Sequence, residues 1–223
     1  METVAFYGAG RLGSGMVRAM LRRGVAVRLW NRSPEKARAH EEHGAQTFVD
    51  AAEAATGADR VHLCLNDDVS VDAVIEAALP GVAAETPIVD HTTVLPQRVV
   101  ERTRRLTDAG HAFMHAPVFM GPHMALSATG VMLASGDGAL FERLRPALET
   151  MCSDLRYLGD LVLLVVARGS VFVTPLAHRR RLPMFSNWKY RGGLFAAFAA
   201  FHRRIVYQFA RKGEGFFAPA LSH

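Results

Sequence analysis

The residues best equipped for chemistry stand near the start of the chain. Gly8-Ala9-Gly10-Arg11-Leu12-Gly13 follows a short apolar run, Thr3 to Tyr7, and opens a helical pattern that continues to Arg23. Gly24 breaks that pattern, and Val25 to Trp30 reads as a second strand. The order strand, glycine turn, helix, strand is the opening unit of a dinucleotide-binding fold. Gly8 permits the tight turn, Gly10 lets backbone approach a pyrophosphate, and Gly13 lets the helix lie close on the strand. The N–H groups at the new helix's N-terminus then face the anion. The competing reading is a glycine turn with no ligand.

The end of the second strand bears on which dinucleotide is held. A site that selects NAD places Asp or Glu there, to accept from the ribose 2′-OH. Here the position carries Asn31, followed by Arg32 and Ser33. Without the carboxylate a 2′-phosphate meets no repulsion, and Arg32 offers a planar cation to pair with it. Ser33 adds a hydroxyl. The expected cofactor is therefore NADP, with NAD as the alternative. Ser33 and Pro34 also suit the N-cap and N1 positions of the next helix, a reading compatible with the first.

Other constellations are weaker. His111 and His115 share one face of an extended strand, but no third ligand follows at metal spacing, so no metal is expected. His91 lies in a loop beyond a strand end, where proton transfer is open to it. Asp67-Asp68 reads as a helix cap rather than an acid/base pair. Cys64 reads as a small buried residue rather than a nucleophile. Lys36, Lys189 and Lys212 are the chain's three lysines, and none sits in a recognisable catalytic setting.

These residues need a scaffold, and the remaining pattern supplies one. Helical stretches are predicted over Pro34–His43, Asp50–Thr56, Val69–Leu79, Pro96–Ala109 and from Gly138 to near Met151. Strands are predicted over Gln46–Val49, Arg60–Leu65, Pro87–Asp90, Ala112–His115, Gly130–Ser135 and Leu155–Leu158. Strands alternating with such helices argue for an α/β fold: a doubly wound, Rossmann-type, mostly parallel sheet. Ligands in such sheets lie beyond the carboxyl ends of the strands. The loops at Asn66, at Thr92-Thr93 and at Ala116 to Pro122 should then line one crevice.

Of the 223 residues, half are hydrophobic, and the formal net charge is +5. Residues 1–159 carry 16 Lys+Arg against 19 Asp+Glu, whereas 160–223 carry 10 against 2, which marks a boundary near Gly159. The expected organisation is a cofactor domain, 1–159, and a basic segment, 160–223, of unassigned fold. No start resembling a signal peptide and no membrane-length apolar run are present, and the two cysteines suit a reducing cytosol. A cytoplasmic protein without membrane or nucleic-acid partners is expected.

With those loops in hand, residues 1–159 resemble the β-hydroxyacid dehydrogenase family, which includes 3-hydroxyisobutyrate and 6-phosphogluconate dehydrogenases. The pieces that carry the likeness are the glycine loop, Asn31-Arg32-Ser33-Pro34-Glu35-Lys36, Leu65-Asn66-Asp67-Asp68, Asp90-His91-Thr92-Thr93, Ala116-Pro117-Val118 and Gly136-Asp137-Gly138. The resemblance implies hydride transfer between a nicotinamide cofactor and a small hydroxy or oxo acid. It also implies that Leu65, Asn66, Ser70 and Thr93 touch the cofactor.

Two departures qualify it. Where the family carries Ser-Gly-Gly for a substrate carboxylate, this chain has Phe119-Met120-Gly121, a more apolar wall suited to an imine-reductase-like pocket. The family's Gly-x-x-x-Lys, whose lysine is the general acid/base, is not found after Gly159. The family's all-α domain, which completes the pocket and the homodimer, does not follow either. Catalysis is therefore expected to be impaired and dimerisation weakened, and the catalytic residue is unassigned. The alternative is a non-catalytic NADP(H)-binding module acting as a sensor or partner protein. Three readings stay open for 160–223: a frame-shifted end, a divergent addition packed on the domain, or a basic arm for nucleic acid or a membrane surface.

Overall fold

A computed structural model describes residues 2–159, 162–167 and 170–175. Strand β1, Thr3–Tyr7, is buried on both faces, with Val4 and Phe6 packed into one core and Ala5 and Tyr7 into the other. Such two-sided burial is what a continuous apolar run produces at the centre of a parallel sheet. Helix α1, Arg11–Arg22, and strand β2, Ala26–Trp30, complete the opening unit. The sheet continues with β3 (Gln46–Phe48), β4 (Arg60–Leu63), β5 (Ile88–Asp90) and β6 (Phe113–His115). These six strands lie in the order β3-β2-β1-β4-β5-β6 and every neighbouring pair is parallel.

Helices cover both faces. On one, α1 contributes Met16, Val17 and Met20, and α7 (Gly138–Glu149) contributes Phe141, Leu144 and Leu148. On the other lie α3 (Ala51–Ala55), α4 (Asp68–Ala78) and α5 (Pro96–Asp108). Asp50, Asp67 and Asp137 accept from backbone N–H groups three residues on, each capping its helix as these residue types favour. No helix among the described residues is long and apolar enough to cross a membrane.

The structure departs from the predicted elements in four places. The helix expected over 34–43 is two pieces, α2 (Pro34–Arg38) and a 3₁₀ turn at Glu41–His43, after which Gly44 takes a left-handed conformation. Ser33 stands at the N-cap of α2, but its side chain makes no capping bond. Strand β8 (Val131–Gly136) runs antiparallel to β6, and β9 (Asp154–Tyr157) lies parallel to β8. Between β6 and β8 the chain forms β7 (Val118–Phe119) and α6 (Pro122–Leu126), both too short to leave a periodic signal.

Helix α6 rests on α1 at Gly15, where an added Cβ would lie 2.7 Å from the Pro122 carbonyl oxygen and 2.9 Å from the Ala125 Cβ. Beyond Gly159 the described residues form two strands paired with each other, β10 (Val162–Ala167) and β11 (Ser170–Pro175). The amphipathic stretch at 194–209 and the arginine triplet at 179–181 lie outside the described residues.

Candidate active site

The parallel ladders bring one residue from each of five strands into a row: Trp30, Tyr7, Leu63, Asp90 and His115 pair in register from β2 to β6. The ladder then continues one residue further. Gly8 N donates to Trp30 O, Cys64 N to Tyr7 O, His91 N to Leu63 O, and Ala116 N to Asp90 O. Every loop predicted to line the crevice therefore departs from one line at the carboxyl edge. Four inter-strand gaps make that line roughly 19 Å long.

At β1 the three glycines play distinct parts. Gly8 has φ +114°, and a Cβ there would run into the Cys64 carbonyl; a Cβ on Gly13 would run into the Gly8 carbonyl. Gly10, at φ −75°, has open space where its Cβ would stand. Side chains at Gly8 and Gly13 are thus excluded by the fold, whereas at Gly10 only an outside molecule would meet one. The first backbone bond of α1 runs from Ser14 N to Gly10 O. The N–H groups of Arg11, Leu12 and Gly13 precede that bond and point out of the helix's open end, as an anion requires.

Asn31 is held by two hydrogen bonds. Its Oδ1 accepts from Ala9 N at 2.9 Å and its Nδ2 donates to Ser33 O at 2.9 Å. The carboxamide thus ties the glycine loop to the turn after β2. Arg32 beside it is exposed. Asp67, across β1 at the start of α4, has its carboxyl held below the usual range by its capping bonds with Ser70 and by the Arg32 charge. The Ser70 N–H is committed to that cap.

Farther along the row, Leu65 N donates to Thr92 Oγ1 at 3.0 Å, which leaves Asn66 and Thr93 exposed on either side. Phe119 and Met120 are half-buried, Met120 packing on the α1 side of the core, and Gly121 is exposed at the start of α6. Cys64 is inert: burial, reinforced by Asp90, pushes its thiol up to about 12.

Sequence reasoning missed a buried polar group behind this edge. Asp90 accepts from Thr92 N at 2.8 Å, and its other oxygen faces the Arg102 guanidinium at 3.7 Å. Arg102 also reaches Asp72 at 2.8 Å and Asp68 at 3.2 Å. Burial raises the Asp90 carboxyl to about 6, against the opposing pull of the Thr92 bonds and Arg102. His115 Nε2 lies 3.0 Å from Thr92 O, and burial pushes this imidazole down to about 4.

His91 is buried with Nδ1 at 2.8 Å from Ala116 O and Nε2 at 2.8 Å from His62. Both ring nitrogens are engaged, and burial pushes it to about 4, so it is no proton donor to the crevice. His111 lies outside β6, so the predicted pairing of His111 with His115 on one strand face does not occur. No metal-binding cluster occurs among the described residues. The register-dependent placement of His62, Asp90 and His115 leaves no local sequence signal.

With this geometry described, similarity to known proteins is informative. Residues 3–159 match the family model of the NAD binding domain of 6-phosphogluconate dehydrogenase. The NADH-dependent oxidoreductase ucdB of Aspergillus ustus is 34% identical over 143 residues, covering 62% of this chain and 50% of that protein. The Mycobacterium tuberculosis 3-hydroxyisobutyrate dehydrogenase structure superposes with TM-score 0.69 at 28% identity, covering 72% of this chain and 55% of that one. The Streptomyces aurantiacus imine reductase gives 0.67 at 28%, covering 72% and 56%. This chain thus spans about half the length of the proteins it matches.

Two predictions follow from the geometry of this edge. Gly10→Ala should leave the stability of the free protein unchanged or raised by up to roughly 1 kcal/mol, yet weaken dinucleotide binding at least tenfold, to roughly the cost of one lost contact. Gly13→Ala should instead destabilise the fold by about 1–3 kcal/mol, and thermal melts with calorimetric titration separate the two. The histidines give the second. His91 and His115 titrate near 4 in the fold, and burial holds His62 well below its usual value, so all three are neutral where the unfolded chain takes up protons. Stability is then fully present above about 6.5 and falls as pH drops toward 4, by up to roughly 1.4 kcal/mol per unit for each histidine. Asp90, raised to about 6, opposes this, because the fold keeps its proton where the unfolded chain has lost it. Unfolding near pH 5 should therefore take up roughly two protons. A flat denaturation midpoint from pH 7 to 4.5 would mean that the imidazoles are charged in the fold.

Proposed function

The chain belongs to the family of NAD-binding domains typified by that of 6-phosphogluconate dehydrogenase, and on that premise we propose that it is an NADP-preferring oxidoreductase acting on a small hydroxy or oxo acid or a related imine. The observation that carries the cofactor choice is at the end of β2. Asn31 replaces a carboxylate and is engaged with the glycine loop and Ser33, while the Arg32 guanidinium beside it is exposed. A 2′-phosphate there gains a charge-assisted partner and meets no anion on that strand end. The ucdB relative is named for NADH, so the two coenzymes are the comparison that decides.

When bound, the nicotinamide cofactor supplies or accepts a hydride. The backbone from Gly8 to Gly13 holds the diphosphate, with the N–H groups of Arg11 and Leu12 turned toward it. Leu65, Asn66 and Ser70 flank its middle, and Thr93 stands at the nicotinamide end. Phe119, Met120 and Gly121 form the substrate wall. A ring and a thioether donate no hydrogen bonds to a carboxylate, which favours an apolar substrate such as an imine. The similarity to an imine reductase supports that choice.

We assign no catalytic residue. After Gly159 the next lysine is Lys189, so the proton-transferring lysine that the family resemblance implies just beyond Gly159 is not found there. A missing general acid/base costs typically 10²–10⁴-fold, so weak turnover is expected from the 223-residue chain. That same observation favours the second reading, a non-catalytic NADP(H)-binding module. In both readings residues 1–159 form the cofactor domain and 160–223 a basic segment of unassigned fold.

Arg32→Ala should weaken NADPH binding roughly ten- to a hundredfold while changing NADH binding little. Equal losses for the two coenzymes would remove the 2′-phosphate role. In a panel of oxo acids and cyclic imines, NADPH oxidation is expected to be slow and confined to the imines. Brisk reduction of an oxo acid would overturn both the impaired-catalysis reading and the apolar-wall assignment.

A further inference from the structure

Three side chains run through the interior of the sheet in an unbroken hydrogen-bonded line. Arg60, at the amino end of β4, pairs with Glu2 at the amino end of β1 and donates from Nε to His62 Nε2 at 2.8 Å. His62 Nδ1 stands 2.8 Å from His91 Nε2, and His91 Nδ1 stands 2.8 Å from Ala116 O. All three side chains are buried, with Arg60 at 4%, His62 at 0% and His91 at 2% exposure. The His62 ring stacks on Phe6 on one side and on His91 on the other, with centroids 6.1 and 5.1 Å apart.

Elementary donor and acceptor rules fix the direction of this line. A guanidinium only donates, so His62 Nε2 carries no proton. A carbonyl only accepts, so His91 Nδ1 carries one. The central bond is then satisfied in one way, with His62 Nδ1–H donating to an unprotonated His91 Nε2. A proton added to either ring would set two N–H groups against each other or against Arg60. Burial, the neighbouring imidazole and Arg60 all push both rings toward neutrality. The opposing charge, Asp90, does not reverse this for His91.

We propose that Arg60, His62 and His91 form a one-way positioning chain that holds Ala116 and, through it, the segment running to Gly121. The chain enters at the amino edge of the sheet and ends on the residue that opens that segment. Ala116 is gripped twice, its N–H by the Asp90 carbonyl and its carbonyl by His91. Pro117 has no N–H, and its carbonyl accepts from Leu133 N at 3.0 Å, so the placement of Phe119 and Met120 rests on these three bonds together with the pairing of β7 on β8. The functional meaning rests on the reading of Phe119 to Gly121 as the substrate wall. The chain itself does not.

Two measurements on the full chain test this. In ¹⁵N-histidine NMR, both His62 and His91 should be neutral Nδ1–H tautomers, unchanged from pH 5 to pH 8. An imidazolium or an Nε2–H tautomer at either ring would overturn the proposal. In hydrogen–deuterium exchange, His62→Leu removes both bonds of the central ring, whereas His62→Gln retains an acceptor for Arg60 and a donor for His91. His62→Leu should speed exchange over residues 116–121 roughly tenfold, leave residues 8–15 and NADPH affinity unchanged, and be largely rescued in His62→Gln. Unchanged exchange over 116–121, or equal acceleration across the whole sheet, would show a packing role only. Should His62→Leu fail to fold, the tautomers and the exchange pattern of His62→Gln against the parent still decide. Neither readout involves a substrate, so the substrate-wall reading can fail in the imine panel while this chain stands, and the reverse.

Discussion

The in-register ladder at the carboxyl edge of the sheet is the constraint on which the rest depends. Parallel strands paired without a slip deliver Trp30, Tyr7, Leu63, Asp90 and His115 to one line. The next residue of four neighbours extends the bonding, so the loops leave the sheet from fixed points rather than from frayed ends. A slip of one residue at β4 would turn His62 and Leu63 to opposite faces and break both the core and the crevice. Position is thus set by backbone pairing, and chemistry is left to loops only a few residues long.

Behind that edge the interior holds several polar side chains. Arg60, His62, Asp90, His91, Arg102 and His115 are all buried. Their cost is offset because most of their polar atoms face a partner: Arg60 faces Glu2, the imidazoles face each other or carbonyls, and Asp90 faces Thr92 and Arg102. The bonds of His91, Thr92 and His115 also stitch together the loops after β4, β5 and β6. The β5–β6 end of the edge is therefore tied by side chains, while the glycine-loop end is tied by backbone contact and by Asn31.

What was legible in the sequence divides along the same physical lines. The glycine loop, α1 and the mostly parallel doubly wound sheet follow from local rules: steric exclusion at Gly8 and Gly13, and strands alternating with helices. The aspartate caps are equally local, three residues from acceptor to donor. The tie from Asn31 to the glycine loop was not legible, because its partner Ala9 is distant in sequence and only tertiary contact reveals the bond. Strand β7 and helix α6 span two and five residues, too few for any period to register. The histidine line was illegible for a different reason: His62 and His91 come from different strand ends, and only their register makes them neighbours.

The two departures from the family pattern carry different weight once geometry is considered. Where the resembled family carries Ser-Gly-Gly, this chain carries Phe119-Met120-Gly121 in a segment that stays anchored, since β7 pairs with β8 and α6 seats on Gly15. Losing the lysine after Gly159 is of another kind, because no described side chain stands in for it. His91 is the nearest titratable candidate by position in the loop, and its two nitrogens are already bound. Asp90 is buried and turned toward Thr92 and Arg102, and Cys64 is held as a thiol. All three groups are therefore committed within the fold.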